Sequence, residues 1–187
     1  MTPDIDETRQ QTQDMIARLN AVRSRYADEL ADPTVRAQLY GITHAEVGGQ
    51  GPQAQQAFME SVFNRAAARG QSLSQTLGDR RYFPRETFDR AARGAPSDML
   101  PLYDTHLQSV LGGSNLAQFA TGNASGGVGF AGGPQTYSAG GERFGIEGPD
   151  RKWATEVSGG GPMPPMPPMA SNNGSASSAF SIVSGLA

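Results

Sequence analysis

Apolar positions in residues 1–32 are sparse but regular: Met15, Leu19, Val22, Tyr26 and Leu30 follow at spacings of four, three, four and four. That spacing keeps all five on one face and predicts a single long polar helix with a narrow apolar stripe. Arg18, Arg23, Arg25, Asp28 and Glu29 flank it, as charges flank the seam of a coiled coil. The stripe is therefore expected to dock on other chains rather than on the rest of this one. Asp32-Pro33 ends this helix and opens the next, with Asp as N-cap and Pro in the first turn.

The second helix is expected from about Pro33 to Glu46, stopped by Gly48-Gly49. Val35, Leu39, Ile42 and Glu46 share one of its faces, so a carboxylate continues an apolar stripe. A third helix opens at Pro52 and runs to about Arg69 before Gly70. Its small and apolar residues wrap so much of its circumference that it reads as buried. A short helix over Ser72 to Gly78, a basic-aromatic loop Arg80-Arg81-Tyr82-Phe83-Pro84, and helices over Glu86 to Arg93 and Pro101 to Leu111 follow. In that loop Tyr82 and Phe83 are expected to cap the core, the alternative being that they stack on sugar faces. Gly112 to Gly148 carries too much glycine for helix and reads as turns and short strands, with Phe119, Phe130, Tyr137 and Phe144 spaced through it and Trp153 beyond. Phe119 and Phe130 are expected to be that lobe's own core. Tyr137 and Trp153, each with a polar handle, suit a groove.

The expected fold is mainly α (α+β), a helical domain with a Gly-rich lobe of turns and short strands. Three regions follow: the amphipathic helix of residues 1–32, a catalytic domain over 33–156, and a tail over 157–187. The tail runs from Gly159-Gly160-Gly161 into Pro-Met repeats and a Ser/Asn/Gly/Ala segment that cannot build a core, with one apolar patch from Ala179 to Leu186.

Composition narrows the chemistry. A net charge of −3 without a basic cluster argues against a nucleic-acid site. No apolar run is long enough for a membrane span, and the polar N-terminus has no signal-peptide core. With no cysteine and two histidines, thiol chemistry is excluded and a metal site would need carboxylates. His44, Glu46, Asp104 and His106 are the only combination to weigh, and His44 and Glu46 point to roughly opposite helix faces, so no metal or cofactor is expected. Gly127 to Gly132 fits G-x-G-x-x-G, but Gly133-Pro134 follows where a helix should open. Asn123-Ala124-Ser125 is formally a glycosylation sequon, without meaning unless the chain is secreted. The surrounding Gly122 to Gly126 does not have the spacing of a nucleophile elbow.

Glu46 is the strongest candidate for chemistry. A carboxyl on an apolar stripe at a helix C-terminus is disfavoured as an anion by desolvation and by the helix dipole, which suits a general acid. The competing reading is a helix-end Glu turned to solvent or paired with an arginine such as Arg65.

The stretch from Glu46 to Arg65, E-V-G-G-Q-G-P-Q-A-Q-Q-A-F-M-E-S-V-F-N-R, resembles the signature of the cell-wall hydrolase family that includes spore-cortex-lytic enzymes. Glu46, Gly49, Gln55, Ala57, Val62, Asn64 and Arg65 match that pattern without a gap. The resemblance implies a lysozyme-like peptidoglycan glycosidase, often a lytic transglycosylase, with Glu46 as catalytic acid and then base. It implies cleavage between N-acetylmuramic acid and N-acetylglucosamine, with the sugar's own 6-hydroxyl closing an anhydro ring. The family's second Glu is Gln50 here, which leaves Glu142, Glu60 and Asp79 as possible second carboxylates. Glu142-Arg143-Phe144 falls near the family's late G-x-H-x-F segment, with the His unmatched. The expected substrate contacts are Gln55, Tyr137, Glu142, Phe144 and Trp153. The expected partners are peptidoglycan glycan strands, and other virion proteins through the N-terminal helix and tail. Phage encoding and delivery to the wall without a secretion signal fit that picture. A non-enzymatic component of a phage particle is the alternative.

Overall fold

A computed structural model describes residues 5–125 and 129–159. The Pro/Met tail from residue 160 onward, its 179–186 patch and Gly127-Val128 of the glycine motif lie outside the described residues. The helices are α1 (Ile5–Arg23), α2 (Ala27–Ala31), α3 (Pro33–Val47), α4 (Pro52–Arg69), α5 (Leu73–Leu77), α6 (Arg85–Ala91), α7 (Leu100–Leu111) and α8 (Arg151–Ser158). Among the described residues three short antiparallel strands, β1 (Gly122–Ala124), β2 (Gln135–Ala139) and β3 (Glu142–Gly145), form one sheet in the order β1-β3-β2. The chain is thus mainly helical with a small sheet, as its periodicity and glycine distribution predict. Among the described residues no helix is long and apolar enough to cross a membrane.

Helix α4 is the centre of the main core. Ala54, Ala57, Phe58, Met59, Val62, Phe63 and Ala66 are all fully buried, against Leu39 and Ile42 of α3, Tyr103 and Val110 of α7, and Phe144 of the sheet. Local signals set its limits: Pro52 in the first turn, and Gly70 in the left-handed region at φ +60° behind the last turn. Asp32 caps α3 by accepting from the Thr34 N–H at 2.8 Å, and Ser72 and Gln75 form a reciprocal capping box on α5. Helices α3 and α6 come together at Gly41, where a β-carbon would lie 2.8 Å from the Ala91 carbonyl oxygen. Phe83, Phe119 and Phe130 are core residues, as the sequence predicts.

The N-terminal segment departs from expectation twice. It is not one helix, because a 3-10 turn over Ser24–Tyr26 separates α1 from α2. Its stripe is also covered by this chain's own body. Tyr26 and Leu30 belong to the main core, and Leu19 joins Phe119, Ile146, Ala154 and Val157 in a second cluster, with Met15 and Val22 packed at its edge. Docking of this stripe on another chain is thereby corrected. The decisive residue is Arg23, which charge patterning assigns to the solvated flank and which is fully buried. It donates to Asn64 Oδ1 at 2.9 Å and to the backbone carbonyls of Val110 and Ser114. Burial lowers the Arg23 pKa to about 10, opposed by the charge of Glu60. Glu60 accepts from Ser114 Oγ at 2.6 Å and from the Ala117 N–H at 2.7 Å, so helix, loop and core share one polar network.

Candidate active site

Glu46 lies in the last turn of α3, continuing the Val35, Leu39 and Ile42 stripe, with Leu39 and Ile42 fully buried. Its side chain retains 17 % exposure, so the carboxylate sits at the boundary between core and solvent. It accepts a short hydrogen bond from the Thr87 hydroxyl, and the Arg90 guanidinium stands 3.8 Å away. Thr87 and Arg90, three apart, reach it together from α6. Arg65 is not its partner: that side chain binds Glu147 at 2.7 Å and stacks over the Tyr82 ring at 3.6 Å.

The turn after Glu46 is held from below. Gln55 is 2 % exposed and donates to the Gly48 carbonyl at 2.9 Å, which ties the first turns of α4 to the end of α3. Its Nε2 thus supports the loop, and its Oε1 is buried without a hydrogen-bond partner among the described residues. The same loop receives the β2–β3 hairpin. Gly140 has φ +60°, and a β-carbon there would lie 1.9 Å from the Gln50 carbonyl oxygen, a distance only glycine permits. Through this contact the hairpin delivers Glu142 to the neighbourhood of Glu46.

Glu142 and Phe144, two apart on β3, share a face of the sheet. Phe144 is fully buried in the main core, so it is corrected as a substrate contact. Glu142, at the rim of that face, is 4 % exposed and accepts from Asn123 Nδ2 at 3.0 Å. Burial raises its pKa and the negative charge of Glu46 raises it further, against the hydrogen bond from Asn123 and the charge of Arg143. The charge of Glu46 thus reaches Glu142 at the junction of helical body and sheet. Asn123 also accepts from the Tyr82 hydroxyl at 3.3 Å, whose pKa burial pushes up to about 12 against the opposing charge of Arg65. Tyr137 pairs with Phe144 across the sheet and is half-buried on the face that carries Glu142.

The remaining candidates lie elsewhere. Trp153, on α8, packs against the second cluster with Leu19 and Phe119, and is corrected as a groove residue beside Glu46. Glu60 is locked in the Arg23 network, and Asp79 accepts the Arg81 N–H at 2.9 Å in its own turn. His44 Nδ1 lies 2.9 Å from the Tyr103 hydroxyl and Asp104 accepts from Tyr40 at 2.5 Å, while His106 Nε2 is buried without a hydrogen-bond partner among the described residues. Among the described residues no group of three or more metal-ligating side chains comes together.

Sequence reasoning missed Thr87, Arg90 and Asn123. Thr87 and Arg90 carry a signal only in their spacing on α6, which acquires meaning once α6 lies against α3. Asn123 was visible only as a sequon. A hollow of about 420 Å³, lined by His44, Ala45, Arg90, Arg93 and the turn at 94–96, adjoins this site through Arg90. No known protein family, characterised protein or solved structure matches the chain.

Proposed function

We propose that this protein is a peptidoglycan-cleaving glycosidase of lysozyme-like type, with Glu46 as the general acid that protonates the leaving glycosidic oxygen and then as the base. The observation that carries the reading is the juxtaposition of Glu46 and Glu142 at the junction between helical body and sheet. One carboxyl is accessible at the end of an apolar helix stripe, and the other is buried and held towards its neutral form. A carboxyl held towards its neutral form repels the Glu46 anion formed after proton transfer less than an ordinary carboxylate would. Buried and held by Asn123, Glu142 is not assigned the activation of water, and neither Glu60 nor Asp79 is placed to do so. Attack by the sugar's own 6-hydroxyl needs no water-activating carboxylate, which favours the transglycosylase over the hydrolase.

In this mechanism Thr87 and Arg90 orient Glu46, and Arg90 stabilises the anion left when its proton is given up. Asn123 positions Glu142. Tyr137, on the same sheet face, supplies an aromatic edge for a sugar ring. The test is digestion of purified peptidoglycan followed by mass spectrometry of the fragments. 1,6-Anhydromuramic ends are expected. Reducing ends carrying solvent oxygen would show hydrolysis, and intact glycan would overturn the enzymatic reading and leave the particle component.

A further inference from the structure

The hollow beside Glu46 has a one-sided chemistry. Its wall carries the guanidinium groups of Arg90 and Arg93 and no carboxylate, in a chain whose net charge is −3. Arg90 is fixed: its Nε donates to the Ala45 carbonyl at 3.2 Å and its Nη2 to the Thr87 hydroxyl at 3.3 Å. Arg93 is exposed, and among the described residues no side-chain hydrogen bond or ion pair engages it. Arg90 has the Glu46 carboxylate at 3.8 Å, while the acids of its own segment leave Arg93 unpaired. Glu86 and Asp89 line a separate, more open hollow on which the two arginines also border, and Asp89 has Arg85 at 3.7 Å. Residues 80–93 carry five arginines against these two carboxylates, so the local field is positive on an acidic protein.

From this we infer that the hollow is an anion subsite for a carboxylate of the substrate, placed next to the cleavage point because Arg90 borders both. Arginine's planar fork matches a carboxylate in two parallel hydrogen bonds; the unpaired Arg93 supplies one such fork, and Arg90, whose Nε and Nη2 are already engaged, adds its remaining Nη1 donors and its charge. The substrate class is therefore an acidic glycan rather than a neutral one. On a muramyl strand the carboxylate is either the lactyl group of an unsubstituted sugar or a stem-peptide carboxylate. This inference rests on the glycosidase reading.

The experiment is calorimetric binding by the full chain carrying Glu46→Gln, so that ligands survive, with and without Arg93→Ala. Three probes are compared: a neutral N-acetylglucosamine tetramer, a peptide-free muramyl-glucosaminyl tetrasaccharide, and the same tetrasaccharide with stem peptides. The expected result is tighter binding of at least one acidic probe, with Arg93→Ala weakening it about 5–10-fold and leaving the neutral probe unchanged. The acidic probe that responds identifies the lactyl or the peptide carboxylate. Arg93 makes no contact that the fold needs, so the variant retains its melting temperature. Acidic glycans bound equally well with and without Arg93 would overturn the subsite and leave the glycosidase reading standing. No binding of any glycan by the Glu46→Gln chain would overturn both.

Discussion

Asn123 Nδ2 donates to Glu142 Oε1 at 3.0 Å from the neighbouring strand, reaching diagonally past its direct partner Phe144 to the residue two places along β3. The bond favours the charged form of a carboxyl that burial pushes the other way. Asn123→Ala should therefore move the Glu142 titration to still higher pH, as followed by carboxyl-carbon NMR. Activity on peptidoglycan should fall with it, since Glu142 loses its orientation. An unmoved titration would show that the bond does not form in solution.

Glu46→Gln should lower turnover about 10²–10⁴-fold, the usual worth of a positioned general acid, and leave the melting temperature nearly unchanged. Gel zymography and thermal denaturation of the same sample read both. A large loss of stability with activity retained would mean that Glu46 only ties α3 to α6 through Thr87 and Arg90.

Stability should respond to pH through Glu142. Its folded pKa is raised above the unfolded value, so its favourable contribution is complete below the ordinary carboxylate range, near pH 4, and is lost as pH rises through the folded value. Glu142→Gln removes that loss. The variant should melt higher than the parent at pH 7 and equally at pH 3, by scanning calorimetry. A lower melting temperature at pH 7 would show that the anion is stabilised in the folded chain.

Gly140→Ala would place a methyl group against the Gln50 carbonyl, in a backbone conformation that costs L-residues about 1–2 kcal/mol. The hairpin must then retreat from the α3–α4 turn. We expect loss of activity together with at least ~2 kcal/mol of stability, measured by urea denaturation. Unchanged activity would separate the hairpin position from catalysis.

Leu19→Ala should cost about 2–5 kcal/mol, because Leu19 is fully buried among Phe119, Ile146, Ala154 and Val157. Thermal denaturation of a chain lacking residues 1–30 should show a clear drop in melting temperature for a monomer. Unchanged stability in both would return the stripe to a partner chain.

Most helix boundaries were legible because proline and glycine mark them: Pro33, Pro52 and Gly70 act through local backbone geometry that needs no tertiary information. The burial of α4 was legible from its composition. What covers α1 was not. Narrow apolar stripes with charged borders arise both in coiled coils and in helices packed on a domain, and Arg23 settles the matter through acceptors on α4, α7 and the loop behind α7. In the site, Glu46 was legible because it continues a stripe within one helix. Phe144 looked like a contact because a motif records which residues matter, without recording whether they touch substrate or hold the scaffold. The partnership of Thr87, Arg90 and Asn123 depends on three elements meeting, which no local pattern encodes.

The Arg23 network also sets an order of events during synthesis. Arg23 leaves the ribosome well before its acceptors, because Ser114 lies 91 residues downstream and Val110 87. Until that later segment is translated, the guanidinium has no native acceptor there, and Leu19 lacks the Phe119 and Ile146 surfaces that finally enclose it. The nascent chain therefore carries an uncovered amphipathic segment while the intervening residues are made, a natural target for chaperones that hold exposed apolar surface.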